Sequence, residues 1–106
     1  MDKKILIIED EAAIQKILSE PLTFAGYKVT TASDGLEGVN FFHEQDFDLI
    51  LLDIMLPKID GYTVCEMIRQ ESQIPIILLT ALDTENDQIK GFDKLADDYI
   101  TKPFSI

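Results

Sequence analysis

Basic side chains are few in this chain, and histidine, cysteine, glycine and proline are fewer still. Nine lysines and arginines stand against 20 acidic residues, for a formal net charge of −11. A field of that sign repels nucleic acid and anionic membrane surfaces, so direct nucleic-acid or membrane binding by this chain is not expected. Basic partners and divalent cations are favoured instead. The one cysteine, Cys65, has no second thiol to pair with. That excludes a disulfide framework within the chain and points to a reducing compartment, the cytoplasm. The one histidine, His43, has no Cys or acidic ligand pattern around it and reads as an ordinary surface or packing residue. Gly35, Gly38 and Gly61 make neither GxGxxG nor GxxxxGK[ST], which excludes the common phosphate-cradling loops. Long apolar runs are missing too. The first, Ile5 to Ile8, is far shorter than a signal-peptide core or a membrane span. Repeats, low-complexity tracts and linker-like stretches do not occur.

What is present is an alternation. The 106 residues are 46% hydrophobic and 27% charged, enough for one domain that buries a core without staples. Lys4 to Ile8, apolar from Ile5 on, and Leu49 to Leu52 and Ile76 to Leu79 are continuous aliphatic runs, as strands buried on both faces of a parallel sheet are. Lys28 to Thr31 and Asp98 to Thr101 are shorter candidates. Between them lie segments of helical period. Ala13 to Ala25 carries Ile14, Ile17, Leu18, Leu22 and Ala25 on one stripe, with Gly26 as its stop. Asp34 caps a second helix running to His43, with Leu36, Val39 and Phe42 on one face. Asp60 to Glu71 is a third, with Val64, Met67 and Ile68 inward. Cys65 on that helix reads as a small packing residue. Thr84 to about Lys94 is a fourth, capped by Thr84 with Asp87 three residues on. This order predicts an α/β fold with helices on both faces of the sheet.

Each core strand hands over to a polar residue. Ile8 precedes Glu9 and Asp10, Leu52 precedes Asp53, Leu79 precedes Thr80, and Thr101 is followed by Lys102. Parallel strands place all of these on one edge, where open α/β sheets bind ligands. Any one of them has a bland reading as a helix cap, a strand end or a solvated lysine. Their conjunction at four strand ends is the signal. Clustered carboxylates repel one another unless a cation joins them, and a hard divalent ion such as Mg2+ suits an oxygen site where phosphate chemistry follows. Asp53 is then a carboxylate nucleophile able to form an acyl phosphate. Lys102 would add positive charge near the phosphoryl oxygens, and Thr80 a hydrogen bond.

Ile8-Glu9-Asp10-Glu11, Asp48 to Pro57, Asp60-Gly61, Leu79-Thr80-Ala81, Ala96-Asp97-Asp98-Tyr99 and Lys102-Pro103-Phe104 resemble, in order and spacing, the receiver domains of bacterial two-component response regulators. The C-terminal wording is most similar to receivers that precede a winged-helix DNA-binding domain. The resemblance implies a flavodoxin-like parallel five-stranded sheet of order 2-1-3-4-5. It implies that Asp53 is the phosphoacceptor, and that Glu9 and Asp10 hold Mg2+ together with Asp53 and the Met55 backbone carbonyl. Thr80 and Tyr99 match the switch pair, and Lys102 matches the phosphate-contacting lysine, ahead of a cis bond to Pro103. A sensor histidine kinase is the implied donor. The domain would be no enzyme toward an outside substrate, only a self-catalysed phosphoacceptor that also hydrolyses its own acyl phosphate.

Two departures from the family pattern shape further expectations. Lys94 and Leu95 stand where the family has an apolar residue and Gly, and the sequence stops at Ile106, before a fifth helix. Residues 1–106 are thus read as one receiver domain lacking its C-terminal helix, with a loose surface around the fourth helix and fifth strand through which two copies associate. Two rivals remain. A metal-dependent phosphatase would want a general acid two residues past the nucleophile, where Met55 stands. A pseudo-receiver that never turns over phosphate would not need Glu9, Asp10, Asp53, Thr80 and Lys102 together.

Overall fold

The computed structural model describes residues 3–81 and 98–102, with side chains described for 3–79. Strands β1 (Lys4–Ile8), β2 (Lys28–Ala32), β3 (Leu49–Asp53), β4 (Ile76–Ala81) and β5 (Asp98–Lys102) alternate with helices α1 (Ala12–Phe24), α2 (Gly35–Glu44) and α3 (Gly61–Arg69). All strand pairings are parallel, in the order β2-β1-β3-β4-β5. The flavodoxin-like expectation is met. The fourth helix expected over Thr84 to Lys94, together with Leu95, Pro103 and Phe104, lies outside the described residues.

Two apolar layers form because strand side chains alternate between faces. Ile5, Ile7, Leu51 and Leu79 face Leu18 of α1, while Leu6, Ile8, Ile50, Leu52 and Leu78 face Val39 of α2 and Val64, Cys65 and Ile68 of α3. Each such aliphatic side chain taken from water stabilises the fold by about 1.5–3 kcal/mol. Gly26 ends α1 as the sequence suggests: with φ 105°, it lets its own amide reach the Thr23 carbonyl and that of Tyr27 reach Leu22. Asp34 caps α2 by accepting from the Glu37 amide at 2.8 Å, and Asp60 caps α3 by accepting from the Thr63 amide at 3.0 Å.

Some faces differ from the periodicity reading. Ile17 and Leu36 are 45% and 48% exposed, although each was placed on an inward stripe. On α2 the buried residues are Gly35, Gly38 and Val39. A Cβ at Gly38 would run into the Ile8 side chain, and one at Gly35 into the Ile59 carbonyl, so this helix lies on β1 at Gly38 and against the segment before α3 at Gly35, and Leu36 is turned outward. Periodicity of apolar side chains cannot detect a face whose contact is made by backbone. Pro21 also stands inside α1, in the last turn, where the helix is about to end.

Candidate functional site

Strands β1 and β3 pair through Ile8 and Leu52, so the next residues, Glu9 and Asp53, emerge side by side at the carboxyl edge of the sheet. Asp53 is the last residue of β3, in register with Leu79, and is 2% exposed. Its backbone is in the ladder rather than beyond it, which fixes its side chain more firmly than a loop position would. The Met55 amide donates to Asp53 Oδ1 at 3.1 Å. Glu9 is fully buried and Asp10 is exposed. One oxygen from each of Glu9, Asp10 and Asp53 lies within 4.8 Å of the others.

That donor set fits a hard divalent cation. Three carboxylates offer oxygen ligands only, two of them come from buried residues, and their mutual repulsion is relieved by a cation. Met55, two residues beyond Asp53, is 62% exposed. Thr80 stands in β4 opposite Thr101, Lys102 ends β5 opposite Ala81, and Tyr99 pairs with Leu78. The backbone therefore brings Thr80 and Lys102 to the same edge as Asp53, with Tyr99 further back along β5. Their side chains lie outside the described residues.

Three supports of this edge were not read from the sequence. The first is Gln15 of α1, whose side-chain amide donates to the Glu9 carbonyl at 2.6 Å and to the Ala32 carbonyl at 3.3 Å. The second is Gly61. Its amide donates to the Ile54 carbonyl at 2.8 Å, and a Cβ there would collide with the Asp53 carbonyl and stand 2.6 Å from Ile54 Cα. The third is Lys58, at φ 69°, whose ammonium lies 3.3 Å from Asp34 Oδ2 and ties the loop after β3 to the start of α2. The Glu37 amide, and after it Lys58, hold the Asp34 carboxyl below the usual carboxylate range. Only Gly61 left a trace in the sequence, in the Asp60-Gly61 motif. His43, expected in an ordinary surface or packing role, lies in the last turn of α2, meets Glu71 just past the end of α3 at 2.8 Å and takes no part in the acid cluster.

Comparison with known proteins bears on this geometry. The family model described as response regulator receiver domain matches residues 5–106. A probable transcriptional regulator, ycf27, of Guillardia theta is 54% identical over 97% of this chain. The match spans 41% of that relative, so this chain corresponds to less than half of such a protein. A putative response regulator from Chloroflexus aurantiacus superposes with a TM-score of 0.91 at 35% identity, covering 99% of this chain and 88% of the other. The receiver domain of sensor histidine kinase PA1611 from Pseudomonas aeruginosa, solved with a magnesium ion coordinated in its active-site cleft, gives 0.88 at 34% identity, with the same two coverages. No helix among the described residues is long and apolar enough to cross a membrane.

Proposed function

Because this chain belongs to the family of response regulator receiver domains, we propose that it is a phosphorylation-dependent signalling switch in which Asp53 accepts a phosphoryl group from a sensor histidine kinase. The observation that carries this reading is the cluster of Glu9, Asp10 and Asp53 at the carboxyl edge of the sheet, with oxygens within 4.8 Å of one another.

In the proposed reaction a carboxylate oxygen of Asp53 attacks phosphorus, and the bond from phosphorus to the donor's histidine nitrogen breaks. The electron pair stays with the imidazole, which takes up a proton, and Asp53 is left as an acyl phosphate. Glu9, Asp10, Asp53 and the Met55 carbonyl are the groups that would hold Mg2+. Bound there, Mg2+ offsets the charge of the carboxylates and of the incoming phosphoryl group. The Met55 amide, at 3.1 Å from Oδ1, keeps the Asp53 carboxylate oriented for attack. Lys102 supplies positive charge to the phosphoryl oxygens and Thr80 a hydrogen bond. Thr80 with Tyr99 forms the pair that couples phosphorylation to the outer surface.

Receiver domains are phosphoacceptor signalling domains rather than enzymes acting on an outside substrate. Self-catalysed transfer and autodephosphorylation belong to the proposal for this chain. So do a cytoplasmic setting, association of two copies through the fourth helix and β5, and control of transcription through a DNA-binding domain elsewhere in a longer protein. The edge position of β5 in the described sheet supports the association. The relatives' description as transcriptional regulators supports the control of transcription.

The test is phosphorylation by a small acyl-phosphate donor with Mg2+, followed by intact mass and site mapping. One phosphoryl group should appear on Asp53, and none on Asp53→Asn. Full labelling of that variant, or a label mapped elsewhere in the parent, overturns the assignment.

A further inference from the structure

We propose that Gln15 is the positioning residue of the acid pair: its side-chain amide sets the backbone from which Glu9 and Asp10 reach a divalent cation. The inference rests on the metal-site reading above and goes beyond it to a residue outside the cluster.

The Glu9 carbonyl and the Asp10 amide belong to one planar peptide. Holding that carbonyl oxygen therefore fixes ψ of Glu9 and φ of Asp10 together, and with them the direction in which the Asp10 carboxylate leaves the chain. Gln15 Nε2 holds it at 2.6 Å. The same nitrogen lies 3.3 Å from the Ala32 carbonyl, which also accepts from the Glu9 amide at 2.9 Å. Two carbonyl neighbours can only accept, so only the NH2 side of the amide suits this place. A third neighbour, Ser33 Oγ, stands at 3.5 Å.

The far side of the acid pair is held by bonds that do not depend on the Gln15 side chain: the Gln15 backbone amide makes the first helical bond of α1 to the Glu11 carbonyl at 3.0 Å, and the Glu11 amide donates to Glu9 Oε2 at 3.0 Å. Asp10, the exposed member of the pair, thus sits between that backbone tie and the Glu9 carbonyl held by the Gln15 side chain. Among the described residues no hydrogen bond engages the Asp10 side chain itself, so its placement there follows from its backbone. A side chain that orients a metal ligand in this indirect way commonly changes metal affinity by about 10–100-fold when it is lost.

Gln15→Met keeps the length and bulk of the side chain and removes both donors. Mg2+ titration by calorimetry should show affinity reduced about tenfold in this variant. Amide chemical shifts of the metal-free protein should change chiefly at residues 9–11 and 32–33. A purely structural tie between α1 and the sheet would instead lower the melting temperature in chelator and leave the Mg2+ affinity of the folded protein unchanged, which overturns the proposal. Should Gln15→Met not fold, Gln15→Asn, which keeps the donors on a shorter arm, is read in the same way: weakened affinity supports the proposal and parental affinity overturns it. A parent chain that takes up no Mg2+ overturns the metal-site reading itself, a result distinct from a parent that binds and a variant that binds equally well.

Discussion

The two strand exits that carry the acid cluster are held by different chemistry. At the exit of β1, the Glu9 carbonyl is held by the side-chain amide of Gln15, a contact any donor of the right length could make. At the exit of β3, the backbone is overlain by the start of α3. There the Gly61 amide meets the Ile54 carbonyl, and no room is left for a Cβ above Asp53. The first arrangement is adjustable by side-chain chemistry. The second is steric, and should fail abruptly when a methyl group is added.

The largest effect expected from this contrast is that of Gly61→Ala. The added Cβ meets backbone atoms of Asp53 and Ile54, which cannot step aside as a side chain can. Overpacking of this kind costs about 1–3 kcal/mol, against a helix-propensity gain of up to about 1 kcal/mol. Urea unfolding should show net destabilisation and reduced Mg2+ affinity. Gly38→Ala is the sharpening control. The three atoms nearest its Cβ all belong to the Ile8 side chain, so its cost should be the smaller of the two. Equal costs would break the contrast between steric and adjustable support.

Next in size is Asp53→Asn, measured in chelator. It removes one of three neighbouring charges and keeps an oxygen for the Met55 amide. Relief of repulsion worth about 1 kcal/mol would raise the melting temperature by about 4–8 °C. A lower melting temperature would mean that the carboxylates do not crowd one another.

A smaller effect belongs to Lys58, which pays a conformational penalty in the loop after β3. Its φ of 69° costs a non-glycine residue about 1–2 kcal/mol. Glycine relieves that cost, but it returns about 0.4–1 kcal/mol through the freer unfolded chain and forfeits an ion pair worth about 0–1 kcal/mol. Lys58→Gly should therefore be slightly stabilising or neutral, and Lys58→Ala, which keeps the strain and loses the pair, slightly destabilising. Chemical denaturation of the two variants side by side separates strain from charge.

The smallest effect is a pH dependence at Asp34. Its carboxyl is held below the ordinary carboxylate range, first by the Glu37 amide and then by Lys58. A depressed folded pKa contributes stability that is complete above the unfolded carboxylate pKa and is lost as pH falls through the folded one. Asp34→Asn should flatten the acid limb of the stability profile by removing that contribution near neutrality, with little change at pH values below the folded pKa. An unchanged acid limb would remove Asp34 from the account.

How much of this was legible in the sequence follows from which interactions are local. The aliphatic runs ending at Ile8, Leu52 and Leu79 identified the buried strands, and the polar residues after them identified the edge where the carboxylates of Glu9, Asp10 and Asp53 gather. Caps at Asp34 and Asp60 and the stop at Gly26 were equally visible, because a cap bonds to amides two or three residues away. The outward turn of Leu36 was not visible. It depends on how closely α2 approaches β1, and that distance is set by Gly38 against Ile8, 30 positions apart in the chain.

By itself the sequence determined the elements among the described residues, the parallel sheet and the candidate residues Glu9, Asp10, Asp53, Thr80 and Lys102, since hydrophobic period and strand-end chemistry are written along the chain. Tertiary structure decided how those residues are held. Gln15 reaches Glu9 and Ala32 only because α1 folds back across the ends of β1 and β2. Gly61 closes on Asp53 only because α3 begins directly over the exit of β3. Lys58 meets Asp34 only because the loop after β3 lies beside the start of α2. Contacts of that kind join residues from separate elements, and no local pattern of propensity or period encodes the distance between them.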